Sequence, residues 1–83
     1  MIKLYSKPNC VFCNRAKAHL NSKGIKFEAV DISKDPTERE FLLSEGHKMV
    51  PQLYFNGKLL VEGGWEGLSK LSDEELTSKI GSS

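Results

Sequence analysis

Two cysteines, Cys10 and Cys13, stand two residues apart in a chain of 83, and the sequence has no others. A bridge between such close neighbours closes almost no loop, so it removes little entropy from the unfolded chain. A secreted disulfide scaffold of this size usually carries four or more cysteines, spread along its length. The pair is therefore no staple, and the fold must rest on its own apolar core. At 39% hydrophobic and 28% charged the composition is globular but not rich. A chain this short buries a limited core, with a stability of about a few kcal/mol. Redox chemistry or half of a metal site remain as purposes for the cysteines.

The length fits one domain over residues 1–83. Twelve Lys and Arg stand against 11 Asp and Glu, a net charge of +1. That balance excludes a polybasic grip on nucleic acid and gives no membrane-surface patch. No apolar run approaches the roughly 18–20 residues of a membrane span. The start, Met1-Ile2-Lys3-Leu4-Tyr5, reads as a strand rather than a secretory leader. The expectation is a soluble protein of a reducing compartment, the cytoplasm, with neither nucleic acid nor membrane as partner.

Ile2 to Ser6 alternates apolar and polar side chains, a short strand, which Lys7-Pro8-Asn9 breaks with turn chemistry. From Cys10 to Lys23 the pattern becomes helical, with Cys13, Ala16 and Leu20 inward and Gly24 as the stop. Ile25 to Ile32 reads as a second strand, with Phe27, Val30 and Ile32 buried. Asp35-Pro36-Thr37-Glu38 is a helix start: Asp35 at the N-cap, Pro36 at the first helical position. That helix carries Phe41 and Leu42 and ends at Gly46. After Val50-Pro51, Gln52 to Phe55 and Lys58 to Glu62 form a hairpin about Asn56-Gly57, which suits a type I′ turn. Gly63-Gly64 leads to a helical stretch over Glu66 to Leu71. Ser72-Asp73-Glu74-Glu75 is a capping box that opens a last helix, with Leu76 and Ile80 inward. Gly81-Ser82-Ser83 should fray. The order β-α-β-α-β-β-α gives an α/β fold. It is a small four-stranded mixed sheet flanked by helices, with a parallel, right-handed first βαβ unit and an antiparallel hairpin.

The spacing Cys10-Val11-Phe12-Cys13 lets the two sulfurs meet with little backbone change. Cys10 falls at a helix start, where unpaired N–H groups and the positive end of the dipole favour a thiolate. Cys13 lies one turn in, more buried, placed to attack a mixed disulfide formed on Cys10. Cys10 is therefore the expected nucleophile and Cys13 the resolving thiol. Lys7 and Arg15 lie close enough in sequence to add positive potential. As a metal set, the two cysteines with His19 and His47 fit no zinc-finger spacing. His19 is expected to be a solvated surface histidine, and no metal ligands are assigned.

Three stretches make the chain similar to the glutaredoxin family over essentially its whole length. They are Tyr5-Ser6-Lys7-Pro8-Asn9-Cys10-Val11-Phe12-Cys13, Met49-Val50-Pro51-Gln52-Leu53-Tyr54-Phe55 and Gly63-Gly64. The resemblance implies a thioredoxin-like fold with Val50-Pro51 as a cis peptide facing the cysteines. It implies a dithiol, glutathione-dependent disulfide oxidoreductase that needs no tightly bound cofactor, glutathione being the reductant. Lys7, the backbone of Val50 and the turn after Gly63-Gly64 are then the positions that hold glutathione. A cis Pro51 would offer an unpaired backbone edge beside Cys10 for a peptide-like substrate. The helix start after Gly64 suits a carboxylate. The glutathione site is expected to comprise Lys7, Phe12, Met49, Val50, Pro51, Gly64, Trp65 and Glu66. Lys48 and His47 are further attractors for the glycine carboxylate. Partners are glutathione and disulfide-bonded or glutathionylated proteins, met by a monomer that maintains cell redox homeostasis.

The chain departs from the family pattern at three places. Val11-Phe12 replaces the usual Pro-Tyr, keeping the ring and losing the hydroxyl. Met49 replaces the usual threonine. Trp65-Glu66-Gly67 leaves the second of two commonly polar or acidic positions vacant, which weakens the expected contact to the γ-glutamyl end of glutathione. That last stretch is similar to redoxins that donate electrons to ribonucleotide reductase and are recycled by thioredoxin reductase. It makes such a donor the alternative reading. Val11 leaves a third one open: a glutathione-bridged dimer holding a [2Fe–2S] cluster.

Overall fold

The first strand, β1 (Ile2–Ser6), sits between two others, so both of its edges are paired. Ile2 and Leu4 point to one side and Tyr5 to the other, and all three are buried. The computed structural model describes residues 1–81; the expected fraying of Ser82 and Ser83 lies outside them. Helix α1 (Val11–Ser22) follows, and β2 (Phe27–Asp31) returns parallel to β1 with Ile2 opposite Phe27. Helix α2 (Pro36–Ser44) leads to β3 (Gln52–Phe55), antiparallel to β1, and β4 (Lys58–Leu59) pairs with β3. Two helices close the chain, α3 (Trp65–Lys70) and α4 (Asp73–Gly81). The sheet order is β2-β1-β3-β4, the expected mixed four-stranded sheet.

Two apolar clusters lie on opposite faces of that sheet. Ile2, Leu4 and Leu53 meet Ala16 and Leu20 of α1, Leu68 of α3 and Leu76 of α4. Tyr5, Val30 and Tyr54 meet Leu42 of α2, with Phe41 stacked on Tyr5 at 5.9 Å. Burying a leucine side chain fully is worth about 1.5–3 kcal/mol. Both faces are needed to hold a sheet this small.

The start signals work as read. Asp35 accepts from the Glu38 N–H at 3.2 Å, with Pro36 opening α2. Ser72 and Glu75 form the reciprocal box at 3.1 and 3.0 Å. Asn56 and Gly57 both take positive φ, 52° and 81°, which the tight hairpin turn requires.

Three expected boundaries are corrected. Ile25 and Lys26 are not in β2, because the Ile25 N–H bonds back to the Leu20 carbonyl at 3.0 Å and belongs to the end of α1. β4 stops at Leu59 rather than Glu62: after one more bond, Leu60 N–H to Leu53 O at 2.8 Å, Leu60 and Val61 turn into the core. Gly81 is the last residue of α4 instead of frayed.

Candidate functional site

Pro8 and Asn9 turn the chain out of β1, Asn9 with a positive φ of 60°. Asparagine tolerates that region, and the turn delivers Cys10 to the N-cap of α1 with extended backbone. The Cys10 Sγ accepts from the Cys13 N–H at 3.2 Å, the bond a capping side chain makes. A backbone donor aimed at a sulfur is how a helix start stabilises negative charge there. Cys13 is fully buried beneath, and both cysteines are free thiols. Burial, then the hydrogen bond to Cys10, pushes the Cys13 thiol up to about 11; the Lys7 backbone opposes this. One sulfur is thus partly open and capped by a donor, and the other is sealed and protonated at neutral pH.

Facing them, Val50-Pro51 is a cis peptide, and the Val50 carbonyl oxygen lies 3.9 Å from the Cys10 sulfur. Gln52 donates its amide to the Met49 carbonyl at 2.9 Å and so ties this turn down. Gly64 fixes it from behind. Its φ is +59°, and a Cβ there would run into the Pro51 carbonyl.

Two clefts meet at Met49 and Val50. One is cationic and holds Lys7, Arg39, His47 and Lys48 over an apolar floor. The other is lined by Phe12, Pro51, Gln52, Gly63, Trp65 and Glu66. Around Cys10 the apolar side chains are unusually open: Val11 is 62% exposed, Phe12 53% and Met49 76%. The Arg15 guanidinium sits over the Phe12 ring at 5.4 Å.

The residues expected from the sequence therefore come together, in two groups. Lys7 lies on the cationic side. Phe12, Trp65 and Glu66 lie on the other, and Met49, Val50 and Pro51 between them. Gly64 is buried and shapes the turn. Arg39 and Gln52 were missed. Gln52 was read as a strand residue within the second family stretch and given no role in the site, and nothing in the sequence says which neighbour the α2 face carrying Arg39 meets. Gly67 has a packing reason that the sequence hides: a Cβ there would strike the Glu62 carbonyl.

His19 is corrected. It is half-buried, edge-on to the Trp65 ring at 5.4 Å, and its buried Nε2 has no hydrogen-bond partner among the described residues. Burial, then Lys23, lowers its pKa, so the neutral ring is favoured. Trp65 accordingly packs on α1 while also lining the cleft. Among the described residues no helix is long and apolar enough to cross a membrane.

A cysteine capping a helix opposite a cis-proline turn, on a mixed sheet with helices on both faces, defines the thioredoxin-like class of thiol proteins. Solved structures agree. The buckwheat glutaredoxin–glutathione complex matches at a TM-score of 0.78 and 22% identity, over 98% of this chain and 76% of that one. The glutaredoxin-like protein NrdH-redoxin from Escherichia coli matches at 0.64 and 25%, over 66% of this chain and 72% of that one. The glutaredoxin family model matches residues 2–60, and the chain belongs to the glutaredoxin family of thiol-disulfide oxidoreductases. A glutaredoxin-like 8.6 kDa protein of Clostridium pasteurianum, from a rubredoxin operon, is 35% identical over 95% of this chain and all of that protein. The hybrid peroxiredoxin hyPrx5 of Haemophilus influenzae is 36% identical over 83% of this chain; the match spans only 28% of that longer protein.

Proposed function

We propose that this protein is a dithiol glutaredoxin, one domain over residues 1–83. It works as a cytoplasmic monomer and reduces protein disulfides and glutathione mixed disulfides at the expense of glutathione. The observation that carries the reading is the Cys10 sulfur, capped by the Cys13 N–H at 3.2 Å and set beside the Val50 carbonyl where the two clefts meet. Glutathione is a short peptide with a carboxylate at each end and an amine at one. A γ-glutamyl amine suits Glu66 and a glycine carboxylate suits Lys7, while the cysteinyl backbone lies along Val50. The hydrophobic rim of Val11, Phe12 and Met49 suits a protein substrate's own apolar neighbours.

In the cycle, the Cys10 thiolate attacks a substrate disulfide; a Cys10–substrate disulfide forms and one substrate thiolate leaves. Cys13 loses its proton as it attacks the Cys10 sulfur, and the second substrate thiolate leaves. The substrate gains two electrons and the Cys10–Cys13 pair loses them. One glutathione thiolate opens that bridge at Cys10, and a second removes the first as glutathione disulfide. A glutathionylated substrate takes the shorter route, through glutathione on Cys10 alone. Attack needs a thiolate that is still nucleophilic.

A second reading is favoured by Trp65-Glu66-Gly67 and by the likeness to NrdH-redoxin, whose described activity profile is thioredoxin-like. In that reading thioredoxin reductase resets the pair, and ribonucleotide reductase is an acceptor. The test is turnover of a small mixed disulfide, followed by NADPH consumption, with Cys10→Ser as the blank. One reaction contains glutathione and glutathione reductase, the other thioredoxin reductase alone. Cys10-dependent turnover with glutathione supports the first reading. Turnover with thioredoxin reductase only overturns it in favour of the second.

A further inference from the structure

The cleft lined by Phe12, Trp65 and Glu66 takes its walls from two helices, and one side of α1 reaches both walls. Phe12 and His19 stand at i and i+7 on α1, so they share a side of that helix. Phe12 forms one wall. His19, two turns further on, meets Trp65 of the opposite wall edge to face, with ring centroids 5.4 Å apart. Trp65 is the first residue of α3, a helix of six residues whose N-cap, Gly64, has no side chain to cap it. The start of α3 relies instead on packing, with Leu68 in the core and Trp65 against α1. Glu66 follows Trp65 directly, so its place depends on the same contact. The His19 Nε2 is buried without a hydrogen-bond partner among the described residues. A buried polar atom left unpaired lowers stability, and a hydrocarbon side chain would avoid that loss. Such departures from local rules cluster at functional sites. Burial, then Lys23, favours the neutral ring, so His19 meets the indole as an aromatic edge rather than as a charge.

We propose that His19 is a positioning residue: its ring holds Trp65 against α1 and so fixes the spacing between Phe12 and the Trp65-Glu66 wall that a glutathionylated substrate meets. The proposal rests on the glutathione reading above. His19 acts on binding and leaves the chemistry alone, because Cys10 keeps its bond from the Cys13 N–H at the far end of α1. Without the ring, Trp65 is free to swing, the cleft loses its fixed width, and part of the binding energy is spent on restoring it.

The test is steady-state turnover of the mixed disulfide of glutathione and cysteine at about pH 7.5, where a histidine of lowered pKa is neutral. Glutathione and glutathione reductase supply electrons, and Cys10→Ser is the blank. His19→Ala should raise KM about 2- to 10-fold, the span of one aromatic contact, with kcat within about twofold of the parent. Trp65 is the sole tryptophan of the chain, so its fluorescence reads the contact directly. Emission should move to the red in His19→Ala as the indole gains water. His19→Phe, which keeps a ring, should restore both KM and emission. Should His19→Ala unfold, His19→Gln, which is ringless but longer, should show the same two changes. Unchanged KM or emission in a folded ringless variant, a fall in kcat in place of the rise in KM, or no rescue by His19→Phe would overturn the proposal. Unfolding of both ringless variants would show a purely structural role and overturn it too. Any of these, with Cys10-dependent turnover intact in the parent, sinks this proposal alone. No Cys10-dependent turnover with glutathione in the parent sinks the glutathione reading and this proposal with it.

Discussion

Cys10 and Cys13 are the same residue type one helical turn apart, and their environments give them different chemistry. Cys10 is reachable and accepts a backbone hydrogen bond, while Cys13 is sealed on the inner face of α1 with its thiol pushed up to about 11. A limiting amount of iodoacetamide at pH 7 should therefore modify Cys10 first. Labelling of Cys13 in the folded chain should grow only as pH rises towards 11; peptide mass spectrometry reads both. Equal labelling at neutral pH would show that the burial argument is wrong. This asymmetry was legible, because spacing and a helix start suffice to derive it. His19 was not. Three residues past Ala16, it falls at the edge of the buried stripe of α1, and its polar type argued for solvent. The ring that covers it, Trp65, is far along the chain. Such partners are tertiary facts that no local pattern carries.

At the scale of elements, caps and turns were the most readable features, since each is a local hydrogen bond or a sterically special φ. Asp35→Ala removes the bond to the Glu38 N–H and should cost about 1 kcal/mol in denaturant unfolding, with Ser72→Ala costing much the same at α4. Neither change should alter turnover. Gly64→Ala differs, because the new Cβ meets the Pro51 carbonyl while the backbone keeps a positive φ. It should cost about 2 kcal/mol or more and, on the proposed glutathione reading, raise the KM for glutathione by moving the Val50-Pro51 turn. If Gly64→Ala keeps both stability and KM, the turn does not depend on that close approach. Strand ends were less readable. Ile25 looks like a strand residue, yet its N–H is taken by the end of α1, and β4 is cut short by the demand of Leu60 and Val61 for the core. In both places a competing partner, invisible in the pattern, decided the boundary.

For the whole molecule, buried ionisable groups set the pH window of stability. Folding raises Cys13 from 9.0 to about 11 and Tyr54 from 10.0 to about 12, so above pH 9 the folded state holds protons that the unfolded chain releases. Stability should fall from there upwards. Folding lowers His19 below 6.5, so under that value the unfolded chain takes up a proton that the folded state resists, and stability falls again. Thermal unfolding should thus show a plateau between these limits. His19→Gln should flatten its acid side, and an unchanged acid limb in that variant would contradict the account of the His19–Trp65 contact. The overall architecture was legible because two sheet faces and three start signals leave few ways to arrange so short a chain. The two clefts were not, since each joins segments from three or more elements. The central claim is that Cys10 takes the mixed disulfide and Cys13 resolves it. Its most direct test is to treat reduced wild type and Cys13→Ser with glutathione disulfide and map the products by mass spectrometry. The account predicts one glutathione on Cys10 in Cys13→Ser, and an internal Cys10–Cys13 bridge with no adduct in the wild type. Glutathione on Cys13 of the wild type, or no adduct on Cys10 of the variant, would contradict it.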